Sequence, residues 1–422
     1  MRRVVMMIID GLRRDCARAE WMPSLAALAE SSRQFAGHRG VFPSATRVSS
    51  SSIATGCWPA RHGLAGNSVA WRDGGGFQRV SAGTATFVED WIARDGRALK
   101  VPTMADRLGE EMLIVSNSSP GAARLQDPNR AARFMHRSGA WLPGGAEQPA
   151  LDITYTGTGD AVATSRFCEQ LLHGRAVQCA LLWICEPDHS QHRLPLGSPD
   201  HRALLAGSDR MVAQVVDVVA RLREAGDDVL LLVGSDHGHE TIDAIVDVDM
   251  ALVEAGFKAT AEADDLVVAP SGMGGLIYAV DEDPARAAEI ARWFREQPWC
   301  HDAWSGNRLG EVHQVPANGM IVAFAMARRD TLNPYGVPGY AHTIKDRSSP
   351  NDAPGNGQHG GWGPYEGAPA LFANGREFVV GTETQVSALV DIAPTIYTHL
   401  GVAVDGPMDG EALQLRRSGG AQ

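Results

Sequence analysis

Long apolar runs are missing from this chain of 422 residues. No stretch approaches the ~20 consecutive apolar positions of a membrane-spanning helix, so no such span is expected. Cysteine is scarce too. The six residues, at positions 16, 57, 168, 179, 185 and 300, show no C-x-x-C spacing. Two of them lie in apolar, strand-like surroundings, so reduced core or surface thiols are expected rather than a disulfide framework. Basic charge is also short: 38 Lys and Arg stand against 50 Asp and Glu, a net charge of −12. That balance argues against a general nucleic-acid-binding face, which needs clustered basic residues. It leaves room for a small anionic substrate, because bound cations reverse the field inside a cleft. The opening MRRVVMMIIDG has the look of a secretory leader, yet its apolar run is too short and lacks a cleavage site. A cytoplasmic location is therefore expected. No internal repeat is visible, and the final RRSGGAQ is the one tail of note.

What is present is the composition of an ordinary globular protein, 44% hydrophobic and 21% charged. Residues 3–9 form a continuous apolar run, as a buried parallel strand would, and MLIVS (112–116), CALLWIC (179–185) and DVLLLV (228–233) repeat its character. Helical patterns alternate with them. Pro23 opens one; Asp200 is a candidate cap for a long helix with Met211, Val215, Val219 and Leu222 on one face; Asp283-Pro284 begins another. Alternating strands and helices imply a largely parallel sheet covered on both faces, an α/β architecture. Residues from about 250 to 340 break the pattern with a strand, a helix and a hairpin-like VPANGMIVAFAMA. They are expected to form an inserted α+β subdomain beside the site, a small cap.

Carboxylates and imidazoles recur at the ends of these runs. Asp10 closes VVMMIID; Asp188 and His192 stand in EPDHSQH; Asp236 and His237 stand in GSDHGH; His359 stands in the Gly- and Asn-rich SSPNDAPGNGQHGG. Asp10, Asp188 and Asp236 follow strand-like runs at their carboxyl ends, the edge where ligand sites of open α/β sheets gather. Each has a bland reading. Asp10-Gly11 could be a simple turn, Asp188 a helix cap and His359 a surface-loop histidine. His192, four residues from Asp188, would share a face of a helical turn with it, and His189 is a rival ligand. Asp236-His237-Gly238 is the sharpest signal, an acid and a base adjacent at a strand end with Gly permitting close approach. His239 and Glu240 are expected behind the ligands or in solvent. Taken together, these O and N donors suit two zinc-like divalent cations. A hydroxyl beside such a cluster can become a nucleophile. The pattern reads as a two-metal hydrolase of phosphate-type esters.

The order Asp-Gly, Thr before a Ser-rich segment, Asp-x-x-x-His, Asp-His-Gly and His-Gly resembles the alkaline phosphatase superfamily. Within it, PSATRVSSSSIATGCWPARHGL is similar to the nucleophile segment of the nucleotide pyrophosphatase/phosphodiesterase and phosphonoacetate hydrolase branch, and DIAPTIYTHLGV to the superfamily's closing helix. The resemblance covers most of the chain. It implies one catalytic domain over residues 1–422, a three-layer α/β/α fold with the cap at about 250–340 inserted. It also implies one ion on Asp188, His192 and His359 and another on Asp10, Asp236 and His237, with Thr46 at the second ion as nucleophile and a covalent phosphothreonine. Zinc is the expected metal, with manganese the alternative. Arg47, Ser49 and Asn67 are the expected substrate contacts, Ser49 standing where that branch has Asn. The lysines expected to hold a phosphonoacetate carboxylate have no counterpart in VSNSSPGAARLQDP. From the residues alone, Thr46 could equally be a helix cap, its helix N-terminus offering amide donors to an anion, and Arg47 a surface residue or a phosphoryl clamp.

The expected substrate is a small phosphate- or phosphonate-containing anion, whether phosphodiester, nucleotide pyrophosphate or phosphonate. A phosphate monoesterase is the alternative. A sulfatase needs Cys or Ser in a Cys/Ser-x-Pro-x-Arg context, which Thr46-Arg47-Val48-Ser49-Ser50 lacks. Cofactor-independent phosphoglycerate mutases carry a Ser motif where Thr46 stands. A metal-stabilised binding protein without turnover would have no use for both a full ligand set and Thr46.

Overall fold

The computed structural model describes residues 1–347 and 352–415. RRSGGAQ (416–422) and the start of the loop before His359 (348–351) lie outside the described residues. A ten-stranded sheet forms the centre. In it β1 (Arg2–Ile9) runs parallel between β3 (Cys179–Ile184) and β4 (Asp228–Gly234), and β2 (Met112–Ser116) lies parallel on the far side of β3. The flanks turn antiparallel: β5 (Leu371–Asn374) joins β4 so on one side, and on the other Arg133–His136 still runs parallel to β2 before Gly139–Leu142 and Ala146–Gln148 follow antiparallel.

The continuous apolar runs follow from burial on both faces. Val5, Met7 and Ile9 of β1 pack on one side with helices α2 (Gly157–His173) and α3 (Pro199–Glu224). Val4, Met6 and Ile8 pack on the other with α1 (Thr46–Thr55) and α4 (Ile392–Leu400). Each such side chain contributes roughly 1.5–3 kcal/mol when fully buried. A strand apolar on both faces gains that only between two helical layers, and the result is the three-layer α/β/α architecture. In α3, Met211, Val215, Val219 and Leu222 are all buried, as their spacing predicts. Its cap is Ser198, however, whose hydroxyl accepts from the His201 amide, and Asp200 falls in the first turn. Pro199 fixes that start, occupying the position whose N–H needs no partner.

Residues 266–326 build a second sheet, antiparallel, in the order Leu266–Pro270, Gly274–Ala279, Met320–Met326, Cys300–Ser305. Helix Pro284–Arg295 packs on it, capped by Asp283 as its sequence predicts. The sheet has more strands than the strand–helix–strand pattern suggests. Cys300–Ser305 escapes notice because it alternates weakly, only Cys300, Ala303 and Trp304 being buried. No helix among the described residues is long and apolar enough to cross a membrane. All six cysteines are unpaired, and five are buried.

The register of the parallel strands places the site. Ile9 lies opposite Ile184, and Ile8 opposite Gly234. Three strands therefore end level, and the residues that follow them, Asp10, Asp188 and Asp236, come out along one edge of the sheet.

Candidate active site

Asp10 and Asp236 are buried, and each has one oxygen held by the protein and one left over. Asp10 Oδ2 accepts from Trp183 Nε1 at 2.9 Å, and Asp236 Oδ1 from the Gly11 amide at 3.1 Å. Asp10 Oδ1 and Asp236 Oδ2 are buried without a hydrogen-bond partner. His237 completes this trio, its Nε2 lying 3.2 Å from Asp236 Oδ2 and 3.5 Å from Asp10 Oδ1. The His237 Nδ1 proton is directed to the Gly238 carbonyl at 3.0 Å, which leaves the Nε2 lone pair facing the carboxylates. The three side chains can converge on one ion.

A second group adjoins it, made by Asp188, His237, His239 and His359. Asp188 heads a single helical turn, Asp188–Gln191, and its Oδ1 lies 2.8 Å from His239 Nε2 and 3.5 Å from His359 Nε2. His359 Nδ1 donates to the Ser44 carbonyl at 2.7 Å, so its Nε2 also presents a lone pair. His192 is at the edge of the group, partly exposed, with Nε2 3.4 Å from Asp188 Oδ1 and its ring centroid 5.2 Å from that of His359. His189 is outside it, because its Nε2 accepts from Arg193 at 2.7 Å. His239 and Glu240 do not face solvent: both are buried, and His239 stands among the ligating atoms. The spacing of His237 and His239, two residues apart just before the strand that begins at Glu240, is the signal for His239. Trp183, read as a core residue of its strand, is also the donor that fixes Asp10.

The electrostatics match an ion-binding site. Burial, reinforced by Asp236 and Asp188, pushes the Asp10 carboxyl well above the usual carboxylate range. Burial likewise raises Asp236. Burial would raise Asp188 as well, but His192, His239 and His359 outweigh it and hold it well below that range. Burial and the neighbouring His237 depress His359. Unpaired buried carboxylate oxygens cost free energy that a divalent cation would offset. The donor set and the two orphaned oxygens therefore fit a metal centre.

Thr46 is the first residue of α1, not its cap: Ala45 holds that position, and its side chain bonds none of the first-turn amides. Thr46 Oγ1 instead lies 3.1 Å from His237 Nε2. Asn67 Oδ1 accepts from the Arg47 amide at 3.0 Å, leaving its NH2 group as donor. Arg47 and Asn67 line a cleft of about 740 Å³ that also touches His192 and His359. Ser49 is elsewhere. One turn into α1, it is fully buried, its hydroxyl has no partner, and it is not part of the cleft wall.

A three-layer α/β/α fold with a buried Asp and His centre at the carboxyl edge of its sheet defines a metal-dependent hydrolase of phosphorus ester bonds. Residues 4–308 match the family described as type I phosphodiesterase / nucleotide pyrophosphatase, and the chain belongs to that family, within the alkaline phosphatase superfamily. No curated protein matches the sequence. Among solved structures the fold is similar to murine ectonucleotide pyrophosphatase/phosphodiesterase 5, an inactive threonine-to-alanine form in complex with AMP, at 15% identity and a TM-score of 0.67 over 97% of this chain and 98% of that one. It is also similar to the human protein of the same name, at 15% identity and 0.65 over 97% of each chain. Phosphonoacetate hydrolase from Sinorhizobium meliloti, in complex with phosphonoacetate, matches at 16% identity and 0.66 over 96% of each.

Proposed function

We propose that this protein hydrolyses small phosphate or phosphonate esters through Thr46, with two divalent cations held in the buried centre. The observation that carries the reading is the Thr46 hydroxyl, 3.1 Å from His237 Nε2 at the first turn of α1 and beside both ligand groups. Asp10, Asp236 and His237 would hold one cation. Asp188 and His359 would hold the other, with His239 or His192 as the third donor. Zinc is the ion proposed, manganese the alternative, since every donor is N or O. When bound, such ions lower the pKa of a hydroxyl and neutralise charge developing on a leaving oxygen.

The chain's own groups do the rest. Thr46 Oγ1 gives its proton to solvent as it attacks phosphorus, the ester oxygen departs on the opposite side and takes a proton from solvent, and the phosphoryl group stays on Thr46 until water takes it and restores the hydroxyl. The first-turn amides of α1 other than that of Arg47, which Asn67 Oδ1 accepts, and the NH2 group of Asn67 would orient the phosphoryl oxygens. Arg47 would supply charge from the cleft wall. Ser49 is not assigned a contact. The sheet over residues 266–326 would act as the cap, since Pro270, Ser271 and Gly272 form part of the cleft wall. A cytoplasmic location belongs to the same reading and is supported by the six unpaired thiols. The inactive threonine-to-alanine neighbour supports Thr46, and the AMP and phosphonoacetate bound to the neighbours support a small phosphorus-containing substrate.

Thr46→Ala tests this directly. Turnover of nitrophenyl phosphate esters should fall by about 10⁴ to 10⁶, the loss seen when a nucleophile is deleted. Metal content and fold should persist, and rapid quench of the unaltered protein should trap label on Thr46. Near-native turnover by the variant would make water the nucleophile.

A further inference from the structure

Resting on the reading of Thr46 as phosphoryl acceptor, we infer that the cleft takes a substrate whose non-reacting end carries a second anionic group, carboxylate or phosphate, in place of an aromatic base. The cleft, about 740 Å³, has far more room than a phosphoryl group at Thr46 occupies. Its walls carry Arg47, Arg79 and Arg193 in a chain whose net charge is −12. Arg79 is matched by Asp346 at 3.3 Å. Arg47 and Arg193 have no carboxylate in ion-pair reach among the described residues. Arg47 Nε is buried without a hydrogen-bond partner, and the side-chain contacts of Arg193 are with His189. The arginines exceed the two cleft carboxylates, Asp346 and Asp352. Asp352 is itself engaged, accepting from Gln358 at 2.8 Å.

Guanidinium groups left unmatched beside a cation-binding centre repel it and each other, and an anion seated between them relieves both. Their planar fork suits carboxylate and phosphate oxygens in particular. The aromatic groups of the cleft wall are imidazoles, His189 beside Arg193 and His192 and His359 at the ligand cluster. Among the described residues no phenyl, phenol or indole ring lines the cleft, and Pro270 and Ile344 are the larger apolar groups that do. Tyr155, against His189 with ring centroids 4.4 Å apart, already has Arg137 over its ring at 4.1 Å. A base would find no phenyl, phenol or indole ring to stack on, whereas a second anion would find two guanidinium groups that no carboxylate matches.

Calorimetric titration of the metal-loaded Thr46→Ala protein, which binds without turning over, tests this. The probes are propyl phosphate, 3-carboxypropyl phosphate and propane-1,3-diyl bisphosphate, with AMP against ribose 5-phosphate. One doubly anionic probe should bind at least about tenfold tighter than propyl phosphate, and the better of the two names the second group. Arg193→Gln, or Arg47→Gln if the first variant does not fold, should cut that advantage to below about threefold. AMP should bind within about threefold of ribose 5-phosphate. Equal binding of the three propyl probes, no binding of any, an advantage that survives both substitutions, or AMP about tenfold tighter than ribose 5-phosphate would each overturn the inference. Turnover of a nitrophenyl ester by the unaltered protein, lost in Thr46→Ala, upholds the Thr46 reading separately. Its failure would leave the binding comparison to be judged by itself.

Discussion

Replacing His62 by Gln should make the protein less sensitive to acid by about 2 kcal/mol between about pH 7.5 and about pH 5. His62 is fully buried behind α1, and burial lowers its pKa from 6.5 to about 3. Its Nδ1 accepts the Leu64 amide at 3.2 Å, and Nε2 meets the Ser52 hydroxyl at 3.0 Å. A proton on Nδ1 would set two donors against each other, so the folded protein keeps the ring neutral. The unfolded chain takes that proton near pH 6.5. For a depressed base, the stability is fully present above the unfolded value and is lost as pH falls toward the folded one. Between pH 6.5 and about pH 5 the loss accumulates at ~1.4 kcal/mol per unit, hence the ~2 kcal/mol. His136 and His201, each lowered by burial to about 4, are built alike, Nδ1 accepting a backbone amide. Asp160 and Glu186, raised by burial to about 6 and about 7, act in the opposite sense and gain stability as pH falls through those values. The whole-protein curve therefore mixes cancelling effects. The readout is the difference between native and His62→Gln protein in urea unfolding of chelator-treated samples at the two pH values. A difference that does not change with pH would refute the reasoning.

Asp236→Ala should lose metal and turnover together, from about two ions per chain, because it removes an oxygen that no protein donor satisfies; elemental analysis showing full occupancy, or activity in the parent indifferent to chelator, would count against the two-ion reading. Trp183→Phe deletes the donor to Asp10 Oδ2 and should weaken metal binding by about 10–100-fold in chelator competition while the fold persists. Gly360→Ala should destabilise by more than ~3 kcal/mol in thermal unfolding: φ is +104° there, and a Cβ would sit 1.4 Å from the Ser271 carbonyl oxygen.

The layers of the fold and every member of the two ligand groups except His239 were legible in the sequence, Asp10, Asp236 and His237 for local reasons and Asp188 and His359 with the help of the motif order. Residues 3–9 are apolar without alternation, and only a strand covered on both faces makes such a run stable. Asp10 and Asp236 are legible because each directly ends such a run, and His237 because it adjoins Asp236. The helix at Pro284 announces itself by proline and the long one through Met211 and Leu222 by period, although the latter starts at Pro199 with Ser198 rather than Asp200 as its cap, because the cap depends on backbone angles that composition does not fix. The strand Cys300–Ser305 was not legible, since its pairing with Met320–Met326 rather than its own pattern makes it a strand.

The residue types and their order determine by themselves that this chain makes an α/β sheet with an Asp and His cluster fit for a metal at its carboxyl edge, because strand burial and donor chemistry are properties of short segments. Only the tertiary structure decides how those donors converge. It brings His239 against Asp188 across 51 positions, turns His189 away toward Arg193, and sinks Ser49 below the cleft that Arg47, two residues earlier on the same helix, reaches. Each outcome depends on the level ends of three strands and on which face of a helix packs inward, and those are set by contacts between segments far apart in the chain.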